Sequence, residues 1–170
     1  MTSANISSQG QYLTFTLNKE IFALDIVKVR EVLELSTIST IPRTPEYMKG
    51  VINLRGHAVP VMDMRLKLGM SPTEYTVDTC IIILEVDYSD EEMIVMGALV
   101  DSVREVFGMS EDDIEPAPKM GSSIEANYIK GMGRQEDQFI IIVDVNKVFS
   151  EEELLLALDI DNESSEGQAA

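Results

Sequence analysis

The chain has one cysteine, one histidine, and only 13 basic residues against 30 acidic ones in 170 residues. A single Cys80 cannot form an intramolecular disulfide, so the default expectation is a reducing, cytoplasmic setting. One histidine and one cysteine cannot supply the usual zinc ligand sets, and nothing in the sequence asks for a metal or other cofactor. The formal charge of −17 argues against a nucleic-acid partner, whose phosphates need a basic surface. It equally disfavours direct binding to an anionic membrane surface. Seven of the acids lie beyond residue 149, yet residues 1–149 still carry 13 bases against 23 acids, a net −10. No apolar run approaches the ~20 residues of a membrane span, and Met1 to Gly10 lacks the basic start and apolar stretch of a signal peptide.

What is present is an internal repeat. Val29-Arg30-Glu31-Val32 recurs as Val103-Arg104-Glu105-Val106, an offset of 74 that also aligns Pro42 with Pro116. After a seven-residue insertion in the second copy the offset is 81, aligning Tyr47-Met48-Lys49-Gly50 with Tyr128-Ile129-Lys130-Gly131 and Asp63 with Asp144. Features shared by both copies point to the fold; features of one copy point to function. Tyr12 to Leu17 alternates apolar and polar residues as a half-buried strand does, and so does His57 to Met62. Pro60, which has no N–H to donate, places that second strand at an edge or bulge.

The continuous apolar runs Cys80–Leu84 and Phe139–Val143 suit strands covered on both faces, trapped where one half packs on the other. Asp63 and Asp144 each precede a short helical stretch and read as helix N-caps. Ser150 with Glu153 forms a capping-box pattern ahead of an amphipathic helix over about 150–158. The N-terminal ten residues and the acidic tail 159–170 read as disordered. The expected fold is mainly β: two similar units of about five short strands, the first over about 12–68 and the second over about 79–149.

A search for catalytic groups returns little. His57 meets Gln138 in the other copy and has no Gly-x-Ser-x-Gly signature to support a hydrolase, so a plain hairpin histidine is the better reading. The run Asp159 to Glu163 lacks the glycine and final glutamate of a calcium loop. Gly131-Met132-Gly133 lacks the third glycine of a phosphate cradle. The copies differ most at Asn53-Leu54-Arg55-Gly56, where Arg55 aligns with Glu136. A guanidinium beside a glycine turn suits recognition of a carboxylate or carbonyl group.

The string Lys49-Gly50-Val51-Ile52-Asn53-Leu54-Arg55-Gly56, followed by Pro60-Val61-Met62-Asp63-Met64-Arg65, closely resembles the signature of the CheW family of bacterial chemotaxis coupling proteins. Asp25-Ile26, Val29, Glu31-Val32 and the Ile114, Pro116, Pro118 spacing belong to the same resemblance, which spans about 11–158. It implies two packed five-stranded SH3-like barrels and a non-enzymatic adaptor with no cofactor. Its partners would be the cytoplasmic tip of methyl-accepting chemoreceptors and the regulatory domain of a CheA-type histidine kinase. The same coupling role in a pilus-type chemosensory system is the alternative. By the same resemblance, recognition falls on Val29, Glu31, Gly50 and Arg55, with Ile26 and Val32 as apolar neighbours. A contact with the kinase domain or with further copies in a ring would use Glu115, Lys119 and Met120, where some relatives carry a basic residue, an acidic residue and a phenylalanine.

Overall fold

A computed structural model describes residues 9–87, 89, 92–116, 128–149, 153 and 154. Among the described residues, ten strands form two five-stranded sheets. In chain order they are β1 (Gln9–Leu17), β2 (Glu20–Asp25), β3 (Val29–Glu34), β4 (Met48–Leu54), β5 (His57–Asp63), β6 (Cys80–Asp87), β7 (Met93–Val100), β8 (Ser102–Ser110), β9 (Ile129–Gln135) and β10 (Gln138–Val143). Two one-turn helices follow β5 and β10: α1 (Met64–Lys67) and α2 (Val145–Val148).

The repeat is realised strand by strand. Val32 stands opposite Ile82 in the β3–β6 pair, and Val106, 74 residues later, stands opposite Leu13 in the β8–β1 pair. Val61 pairs in parallel with Gly97, and Ile142, 81 residues later, with Ala23. These pairings also reveal an exchange. One sheet runs β8-β1-β2-β10-β9 and the other β3-β6-β7-β5-β4. Each therefore takes the first hairpin of one repeat and the last three strands of the other. The units expected over 12–68 and 79–149 are two β units, but neither is contiguous in sequence. Pattern alone could not reveal this, because two copies with the same apolar register accept each other's hairpins equally well.

Three apolar layers result. The central one lies between the sheets and joins Leu13, Phe15 and Leu24 to Ile82, Leu84 and Met96, with Val145 and Phe149 closing its end. Each sheet also curls over a small core of its own: Tyr12, Ala23, Ile140 and Ile142 in one, and Ile52, Val61, Ile81 and Leu99 in the other. Strand β6 thus buries Ile82 and Leu84 on one face and Ile81 and Ile83 on the other, as its unbroken apolar run requires. The second run behaves likewise except at its first residue, Phe139, which is exposed and stacks under Arg134 at 5.1 Å.

Among the described residues neither sheet closes by a continuous ladder. A single bridge joins the segment after β3 to β4 (Ser39 with Val51), and its twin joins Glu115 to Met132. The twins lie 76 apart on one side and 81 on the other, so Pro42 and Pro116 are not equivalent positions. Two residues of the insertion enter before the bridge, beside the 3-10 turn Glu111–Asp113, for which the first repeat has no counterpart. Pro60 also departs from expectation, because β5 is an interior strand between β4 and β7. Its ladder with β7 begins only at Val61, so no bond to that neighbour is asked of the proline.

Both aspartates cap as expected. Asp63 accepts hydrogen bonds from the Arg65 and Leu66 N–H groups, and Asp144 from that of Asn146. Gln9 and Gly10, expected to be disordered, instead begin β1 opposite Ser110 and Met109. Of the expected C-terminal helix only Glu153 and Leu154 are described, and both are helical; the remainder and the acidic tail lie outside the described residues. Glu153 is nearly buried and ion-paired with Lys67, whose ammonium sits 4.6 Å over the Tyr47 ring. A charged acceptor strengthens that bond, so Glu153→Gln, which keeps the hydrogen bond and loses the charge, should lower stability by roughly 1–2 kcal/mol in urea denaturation at neutral pH.

Candidate functional site

The distinctive turn of the first repeat is tight. Asn53 Oδ1 accepts the Gly56 N–H at 2.8 Å, while Arg55 (φ 53°) and Gly56 (φ 87°) both adopt left-handed backbone, as a two-residue hairpin turn of the primed type demands. This geometry aims the Arg55 side chain back across the sheet's open side toward β3. There its guanidinium donates two hydrogen bonds to Glu31, Nη1 to Oε2 at 2.8 Å and Nη2 to Oε1 at 3.0 Å. The fork meets the carboxylate with two bonds and ties the turn after edge strand β4 to edge strand β3 of the same sheet. The hydrogen bonds from Arg55 hold the Glu31 carboxyl below its ordinary range, and Glu31 in turn raises Arg55. The pair is therefore intact at neutral pH and is lost on acidification below the usual glutamate range.

The second repeat has no such pair. Glu105, the twin of Glu31, instead accepts from Gln135 Nε2 at 3.1 Å, and Glu136 occupies the left-handed turn position of Arg55 with φ 56°.

The sequence-expected residues fall into separate groups. Glu31 and Arg55 meet directly. Ile26 and Val29 bracket a 3-10 turn capped by Asp25 and pack against the central layer. Val32 is exposed on β3. Gly50 lies elsewhere, at a bulge in β4 against the Ser39 carbonyl. Of the expected ring-contact residues, Glu115 bridges Met132 through its backbone and lies 3.7 Å from Arg134, while Lys119 and Met120 are outside the described residues.

Beside the Glu31–Arg55 pair a cleft of about 400 Å³ opens between β5 and β7, with His57 and Arg30 at its rim and Met93 at its lip. Sequence reading missed it, since Met93 and Val95 reach it from the other repeat through the exchanged hairpin. His57 lines the cleft together with Arg30 and Arg55, and among the described residues no serine, threonine or cysteine lines it. Burial pushes the Cys80 thiol up, away from the reactive thiolate. Among the described residues no cluster of histidine, cysteine and acids could hold a metal ion, and no helix is long and apolar enough to cross a membrane.

Comparison with known proteins fits this construction. The family model of the CheW-like domain matches residues 11–153. The chain belongs to the CheW-like domain family. The chemotaxis protein CheW of Klebsiella aerogenes is 34% identical over 146 residues, 86% of this chain and 85% of that one. CheW of Rhizobium meliloti is 34% identical over 156 residues, covering 90% and 97% of the two chains. The solved structure of the scaffolding protein TtCheW from Thermoanaerobacter tengcongensis superposes with a TM-score of 0.74 at 33% identity, covering 86% of this chain and 97% of that one. Within this CheW-like chain, the Glu31–Arg55 pair is an exposed charged feature of the first repeat that its twin lacks.

Proposed function

We propose that this protein is a non-enzymatic adaptor of a chemotaxis system, coupling the cytoplasmic tips of chemoreceptors to the regulatory domain of a CheA-type histidine kinase. Membership of the CheW-like family supports the class of function. The observation that carries the site is the forked Glu31–Arg55 pair, present in one repeat and replaced by Glu105–Gln135 in the other. A feature the fold does not need twice is available for recognition. Ile26, Val29 and Val32 supply apolar surface on the strand and turn that hold Glu31, and an amphipathic helix laid against them would take its register from Arg55. The protein would be recruited to membrane receptor arrays through these partners rather than by its own contact with lipid. Further copies would meet it in a ring through the Glu115 region of the second repeat.

Reversing the charge tests the assignment. In pull-downs with purified receptor tips and kinase, Arg55→Glu should reduce capture of at least one partner by tenfold or more. The pair is exposed, so the melting temperature should fall by no more than a few degrees. Wild type that captures neither partner, or Arg55→Glu equal to wild type for both, would sink the adaptor reading at this site.

A further inference from the structure

The parallel ladder between β5 and β7 covers only Val61–Asp63 against Gly97–Leu99. Upstream of it the two strands splay, and the mouth of the small core beneath them stays open. Leu54, Val59 and Val95 form its apolar walls, and the opening holds about 400 Å³, room for one large side chain and the backbone beside it. No carboxylate lines it among the described residues.

The rim is ordered in a particular way. Arg55 is 70% exposed while its partner Glu31 is only 24%, and Arg30, paired with Glu85 at 3.1 Å, is 47% exposed against 28%. The carboxylates stand behind and the guanidinium groups stand in front. A chain of net charge −17 thus presents cationic groups to solvent around an apolar hole. A partner's acids would be repelled by much of the surface and accepted here.

From this we infer that the cleft is an anchor pocket for a protein partner's large apolar side chain flanked by carboxylates. The apolar group enters between Leu54 and Val95, and the flanking acids meet the outward faces of Arg30 and Arg55. Met93, unbranched and half-exposed at the lip, adapts to the shape of the entering group. The existence of such a partner rests on the adaptor reading above; the pocket's preference does not.

Amide NMR of the full chain, titrated with the blocked tripeptide Glu-Phe-Glu, tests the preference. Saturable shifts centred on Leu54, His57, Val59 and Val95 are expected, with a dissociation constant on the order of 1 mM. Glu-Ala-Glu and Lys-Phe-Lys should each bind at least fivefold more weakly. Arg30→Glu should weaken Glu-Phe-Glu by at least fivefold, and Val95→Trp, which fills the walls, should abolish its binding. Shifts elsewhere, no shifts, or equal response to the three peptides would overturn the pocket; should Val95→Trp fail to fold, Arg30→Glu alone decides. In the pull-down, a folded Val95→Trp should lose tenfold or more for one partner. Normal capture by that variant overturns the anchor and leaves the adaptor intact. Peptide binding without any capture by wild type has the opposite meaning.

Discussion

Gly50→Ala should destabilise this protein by about 4 kcal/mol, roughly twice the loss expected at the equivalent glycine of the second repeat, and should do so by opening the bridge between Ser39 and Val51. Gly50 has φ +144°, in a region that side chains rarely enter, and a Cβ there would lie 2.1 Å from the Ser39 carbonyl oxygen. That oxygen is not free to retreat, since it accepts the Val51 N–H at 2.8 Å while Ser39 N–H donates back to Val51 at the same distance. The alternatives are a strained backbone or a broken bridge, and the small core behind Ile52 opens with either.

The second repeat supplies a graded control. A Cβ on Gly131 would lie 3.0 Å from the Glu115 oxygen and meet the movable Ile114 side chain, so Gly131→Ala should cost less, about 2 kcal/mol. Equilibrium unfolding in urea measures both. A Gly50→Ala protein of near wild-type stability that fails to capture partners would return this glycine to the recognition surface, where the family resemblance puts it.

The second large effect belongs to Asp63. Its carboxylate is fully buried and accepts the Arg65 N–H at 2.9 Å, the Thr73 N–H at 3.0 Å and the Thr73 hydroxyl at 2.7 Å, with Lys49 3.7 Å away. One side chain therefore caps α1 and fastens the connector between the repeats. Asp63→Ala removes the acceptor of three backbone donors, those of Arg65, Leu66 and Thr73, and of the Thr73 hydroxyl, and should cost about 3 kcal/mol or more. Asp144→Ala removes only the half-exposed bond to Asn146, 3.0 Å long, and should cost about 1 kcal/mol. Comparing the two by thermal or urea unfolding separates simple capping from fastening of the connector. Equal losses would show that the Thr73 contacts contribute nothing.

Much of this architecture was legible in the residues. Offsets of 74 and 81 reappear as equivalent pairings, the two aspartates cap where the pattern put them, and the isoleucine run of β6 is buried on both faces. These features depend on local chemistry or on periodicity, which a sequence records directly. Which repeat's hairpin joins which sheet is different: Leu13 and Ile82 have the same neighbours in kind, so nothing local distinguishes them.

The cleft inherits that ambiguity, because its walls come from β5 of one repeat and β7 of the other. For the site, the contrast between Arg55 and Glu136 was enough to single out the turn. It could not say that Arg55 would turn both terminal nitrogens of its guanidinium to Glu31. Nor did it show that Gly50 answers to Ser39, since the close approach comes from a loop about ten residues upstream.

The exchanged hairpins also decide what counts as a part. Residues 9–68 alone would hold one hairpin with no sheet to join and three strands whose sheet lacks its middle members, β6 and β7. Neither repeat could be excised as a module, and a cut through the connector would leave two interlocked pieces rather than two domains. Formation of either sheet must wait for strands far apart in the chain, an arrangement that favours slow, all-or-none folding.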